Sequence, residues 1–114
     1  MATIYHNPRC SKSRQTLELL KSQDIEPSVV LYLDSPLSAQ TITSLLEKLG
    51  ISARQLLRKG EQAYKENNLG DTNLNEAQLI AAMVDNPKLI ERPIVVNGER
   101  AIIGRPPELV LEIL

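Results

Sequence analysis

Residues 5–14 read Tyr-His-Asn-Pro-Arg-Cys-Ser-Lys-Ser-Arg and connect a β-prone run, Thr3–Tyr5, to a run with leucines at helical spacing. We predict a short strand followed by a helix over Ser11–Ser22. The connecting loop contains the only cysteine of the chain, Cys10, and its only histidine, His6. The first turn of a helix leaves backbone N–H groups unpaired and favours negative charge, which stabilises the reactive thiolate. Cys10 is therefore a candidate nucleophile, in a loop that also suits an anionic ligand.

These residues also have structural interpretations. A lone cysteine is more often a small buried side chain than a catalyst, although polar and charged neighbours flank Cys10 on both sides. His6 could equally be a hydrogen-bonded residue at the end of a strand, and Lys12 and Arg14 could be solvated helix charges. Chemistry alone leaves both interpretations of Cys10 open.

Composition restricts the class of protein. The 114 residues fit one domain, 1–114, and the absence of Phe and Trp requires an aliphatic core. A net charge of −1 gives no reason to expect nucleic acid or a membrane surface as partner. One cysteine cannot form an internal disulfide, no apolar run is long enough to cross a bilayer, and the N-terminus leads directly into a strand pattern. We expect a cytoplasmic protein.

The continuous apolar run Ser28–Leu33 predicts a second strand, which would complete a parallel βαβ unit buried on both faces. Helical patterns follow. One helix is capped by Ser38 and stops at Gly50, and another begins at a capping box formed by Asn75 and Gln78. Two shorter helical pieces lie between these two helices.

The C-terminal third is rich in β-branched residues. Ile94–Val96 and Ala101–Ile103 flank Asn97-Gly98, a dipeptide that predicts a tight hairpin in which both turn residues have positive φ. A closing helix over Glu108–Leu114 follows two prolines.

The order β-α-β, helices, β-β-α predicts an α/β fold, a thioredoxin-like mixed four-stranded sheet with a helical insertion in the middle of the chain. The core would comprise about residues 1–34 and 90–114, and the insertion about residues 35–89. Thioredoxin-like folds keep a cis-proline beside the active-site thiol where the third strand begins. We therefore predict that the Arg92–Pro93 peptide bond is cis.

Three arginines occupy positions that suit anion binding. Arg58 ends an apolar run just before Gly60, Arg92 directly precedes the third strand, and Arg105 lies between Gly104 and two prolines. The planar guanidinium group can bind two oxygens of a tetrahedral oxyanion at once. For any one of these arginines alone, a solvated surface charge is the alternative interpretation.

Five separated blocks carry a family resemblance: residues 6–14 (HNPxCxxSR), 31–33 (LYL), 56–59 (LLRK), 92–96 (RPIVV) and 105–106 (RP). Together they resemble the glutaredoxin-coupled arsenate reductases over essentially the whole chain. The resemblance implies a thioredoxin-like fold and the reduction of arsenate to arsenite. It further implies glutathione as co-substrate and glutaredoxin as partner, with neither a bound cofactor nor a metal.

The resemblance also assigns roles to single residues. Cys10 matches the nucleophile, His6 the histidine that favours the thiolate, Ser13 a serine whose hydroxyl can bond that thiolate, and Pro93 the structural proline of the site. The residues that match the arginines holding arsenate and its arsenite-bound intermediate are Arg58, Arg92 and Arg105. A sister branch of regulators that bind RNA polymerase carries a Cys-x-x-Cys pair, and Ser13 excludes such a disulfide here.

Three other functions stay open. The chain could act on a different glutathione-linked substrate, or it could be a non-enzymatic regulator that binds a partner protein. A purely structural role is the third, but it gives the arginines and Cys10 no common purpose. The serine at position 13 and the complete set of three arginines favour the enzyme.

Overall fold

The computed structural model describes residues 2–114 and follows the predicted order of elements. Its elements are β1 (Ala2–Tyr5), α1 (Ser11–Ser22), β2 (Ser28–Val30), α2 (Ala39–Leu49), α3 (Ala53–Leu56), α4 (Gln62–Glu66), α5 (Glu76–Asp85), a short 3₁₀ helix (Pro87–Leu89), β3 (Ile94–Asn97), β4 (Arg100–Ile103) and a closing 3₁₀ helix (Pro107–Ile113). Within residues 2–114, no helix combines the length and the hydropathy that a membrane span requires.

The strands form one mixed sheet in the order β2-β1-β3-β4. β1 is parallel to β2 and antiparallel to β3, and β3 is antiparallel to β4. Ile4 lies opposite Val29 on one side and Val95 on the other, and Val95 in turn faces Ile102. The predicted fold class, a thioredoxin-like mixed four-stranded sheet, is confirmed.

The second strand is shorter and more exposed than predicted. Only Ser28–Val30 pairs with β1, and Val29 and Leu31 are 46% and 39% exposed. The expectation that this strand is buried on both faces is wrong, because Ser28 and Val29 are exposed and Val30 is only partly buried; β2 lies at the edge of the sheet. An apolar run alone does not distinguish an edge strand from a central one. The chain then turns, and Tyr32 is buried.

The predicted hairpin is present, but its turn is displaced by one residue. Asn97 pairs with Arg100, so the two-residue loop is Gly98-Glu99, in which Gly98 alone has positive φ. A glycine with positive φ at the first loop position is one of the two favoured hairpin geometries. The Asn97 side chain donates a hydrogen bond to the Ile113 carbonyl oxygen over 2.6 Å, which ties Asn97 to the strand.

The closing helix has 3₁₀ geometry. Its buried residues, Pro107, Val110 and Ile113, recur every three positions, the spacing that a helix with three residues per turn places on one face. The leucine, valine and isoleucine spacing of Glu108–Leu114 predicts that Leu109, Val110 and Ile113 face inward; Val110 and Ile113 are buried, but Leu109 is only partly buried.

The chain divides into two compact units. One comprises the chain up to Ser35 together with Arg92–Leu114, and the other comprises Pro36–Glu91. The sequence placed these divisions at about residues 34–35 and 89–90. The description of residues 1–114 as a single domain stays a prediction.

The core of the first unit is aliphatic, as its composition requires. It is formed by Ile4, Leu20, Val95, Val110 and Ile113. The fully buried positions of α1 are Ser13, Thr16 and Leu20, whereas Leu17 is only partly buried.

Local signals define the helices of the second unit. Ser38 Oγ accepts a hydrogen bond from the Thr41 backbone N–H, and α2 ends at Gly50 with φ of 70°. The predicted capping box at Asn75 and Gln78 is confirmed at the start of α5. A second capping box, at Ser52, begins α3 and was not predicted.

Gly104 is the position in the first unit that leaves no room for a side chain. A Cβ atom there would lie 2.7 Å from Thr16 Oγ1 and 3.1 Å from Pro93 Cγ. Thr16 is fully buried and donates a hydrogen bond to the Lys12 carbonyl oxygen. The Gly104 N–H donates to the Pro93 carbonyl oxygen over 2.9 Å. A small residue is therefore needed where β4 leads into Arg105.

We predict that Gly104→Ala lowers the free energy of unfolding by about 1–3 kcal/mol, because the methyl group overpacks a closed site. Urea denaturation measures the change. Gly60→Ala is the matched control, since a Cβ at Gly60 meets nothing within 4 Å. Thr16→Ala should relieve the clash, so the double variant should lose less stability than the two single losses added together. Strict additivity would contradict this account.

Candidate active site

Asn7 organises the loop between β1 and α1. Its carbonyl oxygen accepts from Cys10 N–H and its side-chain Oδ1 accepts from Arg9 N–H, both over 3.0 Å. Its own N–H donates to Ser13 Oγ over 3.0 Å. This role of Asn7 was not predicted from the sequence. The available signal was the Asn-Pro dipeptide, because an asparagine before a proline commonly initiates a turn that its side chain closes.

Cys10 is the N-cap residue of the twelve-residue helix α1. Its carbonyl oxygen accepts from Arg14 N–H over 3.0 Å, and its side chain makes no capping hydrogen bond. The thiol is free and partly buried. The sulfur thus lies at the positive end of a helix dipole, where a bound anion is favoured electrostatically.

Arg105 brings a cation to this sulfur. Its Nη1 atom lies 3.9 Å from Cys10 Sγ and 3.3 Å from the Arg92 carbonyl oxygen. Cys10 and Arg105 are 95 positions apart in the sequence, so the fold creates this contact. The guanidinium group can stabilise negative charge on the sulfur or on a ligand bound to it.

The Arg92–Pro93 peptide bond is cis, as predicted, and the Arg105–Pro106 bond is also cis, which was not predicted. Pro93 is buried and Arg92 is partly buried. The structure therefore gathers Cys10, the Arg92 carbonyl and the Arg105 guanidinium in the first unit.

His6 and Ser13 form a buried pair beside the loop. His6 Nδ1 lies 2.6 Å from Ser13 Oγ, and the two residues are 6% and 0% exposed. Within residues 2–114, the hydrogen bonds of the Ser13 hydroxyl join it to His6 and to Asn7. The resemblance implied a bond from Ser13 to the Cys10 thiolate instead.

The imidazole of His6 favours its neutral form. Burial lowers its pKa below the usual value of 6.5, and the positive charges of Arg14 and Lys21 lower it further. A neutral imidazole nitrogen can accept a hydrogen bond from the Ser13 hydroxyl, whose oxygen already accepts from Asn7 N–H. His6 is thus suited to hold Ser13 and the loop in place rather than to supply positive charge.

Arg58 belongs to the second unit and is paired there with two carboxylates. Its Nη1 atom lies 2.9 Å from Glu61 Oε1, and its Nε atom lies 3.6 Å from Glu91 Oε1. Neither partner was predicted from the sequence. The three-residue spacing of Glu61 was a usable signal, but Glu91 is distant in sequence and left none. Among residues 2–114, no group of three or more His, Cys, Asp and Glu side chains could hold a metal ion.

Comparison with known proteins adds independent evidence. The model of the ArsC family matches residues 5–113. The chain belongs to the ArsC family. The resemblance seen in the five sequence blocks is confirmed at this level.

Individual ArsC relatives match nearly the full length. The uncharacterized protein YfgD of Escherichia coli K12 is 63% identical over 112 residues, which cover 97% of this chain and 94% of that protein. An arsenate reductase of Haemophilus influenzae is 51% identical, covering 97% of each chain. A solved arsenate reductase structure from Vibrio cholerae is 53% identical and has a TM-score of 0.98, covering 99% of this chain and 97% of its own.

We predict that the imidazole of His6 titrates below 6.5, because burial and the nearby cations oppose its protonation. Proton NMR gives a direct measurement, since this ArsC chain has one histidine. Arg14→Gln should move the midpoint upward toward 6.5, because it removes one of these cations. A midpoint at or above 6.5 in the unmodified protein would contradict the neutral assignment.

The lowered pKa of His6 also predicts that acid decreases the stability of the fold. As pH falls below 6.5, the unfolded chain binds a proton at His6 before the folded chain does. The free energy of unfolding should therefore decrease until the pH passes the folded pKa, with a slope of at most about 1.4 kcal/mol per pH unit. His6→Asn should remove this component of the slope in denaturation curves. An unchanged slope would show that other groups cause it.

Proposed function

We propose that this chain reduces arsenate to arsenite through a covalent intermediate on Cys10, with electrons from glutathione and glutaredoxin. The observation that carries the proposal is the Arg105 guanidinium 3.9 Å from Cys10 Sγ, at the N-terminal end of α1. A cation and a helix dipole at one sulfur suit both a thiolate nucleophile and an oxyanion electrophile. The related proteins from H. influenzae and V. cholerae are arsenate reductases, which supports arsenate as the substrate.

In the first step, the Cys10 thiolate attacks the arsenic(V) atom of arsenate. A sulfur–arsenic bond forms and one arsenate oxygen leaves as water after it gains protons. Arg105 would stabilise the negative charge that develops on the remaining oxygens. Arg92 and Arg58 are proposed as further ligands of the oxyanion, by their match to the family arginines.

Reduction then requires two thiols from outside the chain, because its single cysteine cannot resolve its own adduct. A glutathione thiolate forms a second sulfur–arsenic bond and displaces another oxygen as water. A glutaredoxin thiolate attacks the glutathione sulfur, and the electron pair of that sulfur–arsenic bond stays on arsenic, which becomes arsenic(III).

Water finally replaces Cys10 on arsenic and releases arsenite with the regenerated thiol. In total, two thiols are oxidised to one mixed disulfide, and arsenate is converted to arsenite and water. This chemistry needs a compartment that keeps thiols reduced, so we place the proposed reaction in the cytoplasm.

We predict that Cys10→Ser abolishes arsenate reduction, because a serine hydroxyl is a much weaker nucleophile than a thiolate. The assay couples purified protein, arsenate, glutathione and glutaredoxin to NADPH oxidation by glutathione reductase. Alkylation of the single cysteine should give the same loss, and arsenate should slow that alkylation. Retained turnover in the serine variant would end the nucleophile assignment. No turnover in the unmodified protein would favour another substrate or a regulatory role.

We predict that Arg105→Gln lowers kcat/KM for arsenate by about 100-fold, the cost of losing one preorganised donor to a developing oxyanion. Arg105→Lys should recover only part of the activity, since lysine retains the charge but not the planar fork. Arg100→Gln is the matched control, because Arg100 is exposed on β4 and donates to the Glu112 carbonyl oxygen. Equal losses in the Arg100 and Arg105 variants would contradict a specific role for Arg105.

A further inference from the structure

The guanidinium group of Arg58 is held between two carboxylates of its own unit. Glu61 Oε1 lies 2.9 Å from its Nη1 atom, and Glu91 Oε1 lies 3.6 Å from its Nε atom. The three side chains are only 26%, 29% and 28% exposed, so solvent screens these contacts incompletely.

The backbone builds this arrangement. Arg58 N–H donates to the Leu89 carbonyl oxygen over 2.8 Å, and Glu91 N–H donates to the Leu56 carbonyl oxygen over 3.0 Å. These two bonds hold the Arg58 and Glu91 segments side by side as an antiparallel bridge. Glu61 N–H then donates to the Arg58 carbonyl oxygen over 3.3 Å, in a turn that returns Glu61 to the same guanidinium group.

The contacts affect both ways in which Arg58 can bind an oxyanion. A guanidinium group offers two paired-donor edges, one that includes Nε and one formed by the two terminal nitrogens. Glu61 accepts a hydrogen bond from Nη1, and Glu91 lies at ion-pair distance from Nε, so a carboxylate lies beside each edge. The negative charge of each carboxylate also repels an approaching anion.

We propose that Glu61 and Glu91 are affinity-setting residues that compete with arsenate for the guanidinium group of Arg58. This inference rests on the proposed function, in which Arg58 is an arsenate ligand. An oxyanion that binds the two terminal nitrogens must displace Glu61 from Nη1, and one that binds the edge containing Nε must approach next to Glu91. The affinity of the chain for arsenate is therefore lower than it would be if Arg58 had no carboxylates beside it.

The test measures arsenate binding by isothermal titration calorimetry in a Cys10→Ser background, where no reaction follows. Glu61→Gln and Glu91→Gln should each lower the Kd for arsenate by about 2- to 5-fold, the range expected for partly exposed ion pairs. Glu66→Gln is the matched control and should leave Kd unchanged. It removes the same charge from the same unit at an exposed carboxylate that accepts from Gln62 Nε2.

Arg58→Gln completes a double-mutant cycle with each glutamate substitution. It should raise the Kd, and in its presence the Glu61 and Glu91 substitutions should have no effect. An unchanged Kd in the Glu61 and Glu91 variants would overturn the proposal. So would an equal decrease in the Arg58→Gln background, or no arsenate binding in any variant. Should Glu91→Gln disturb folding, as judged by circular dichroism, Glu61→Gln alone decides, because it removes the shorter contact.

Turnover by the protein with its cysteine intact separates the two proposals. A decreased Kd together with no arsenate turnover would overturn the proposed function and leave the role of the two glutamates standing. Normal turnover, with a KM that neither glutamate substitution lowers, would overturn only the role of the glutamates.

Discussion

The register of β1 against β3, and of β3 against β4, is the constraint on which the candidate site depends. Tyr5 lies opposite Ile94, and Ile94 lies opposite Ile103. All three strands thus reach the site at one row of the sheet. The Cys10 loop leaves the end of β1 there, the cis-proline precedes β3, and Arg105 follows β4. A shift of one residue in either pairing would turn alternate side chains to the other face and separate Arg105 from the sulfur.

Within that frame, charge and hydrogen bonding have separate roles. The helix dipole and Arg105 provide the positive potential at Cys10. His6 and Ser13 are buried and bonded to each other, and they hold the loop through the N–H of Asn7. A protonated imidazole is disfavoured at this depth. The histidine is thus better understood as part of the loop's framework than as a second cation.

The sequence was informative wherever structure depends on neighbouring residues. The cap at Ser38 and the box at Asn75 follow from side chains within one helical turn. The five blocks identified the family. Features that depend on distant partners were missed or displaced. Asn97 stays in the strand because it bonds to Ile113, and no local pattern reveals that Glu91 reaches Arg58. The position of the Arg105 guanidinium group could not be predicted for the same reason, because it depends on how distant strands pair.

The brevity of β2 has a consequence for assembly. Only three residues form this edge strand, and the chain turns away directly after Leu31. A neighbouring molecule would find too few main-chain donors and acceptors to extend the sheet by a further strand. The apolar side chains Val29 and Leu31 are thus tolerated at the rim, because a truncated ladder discourages fibrous self-association.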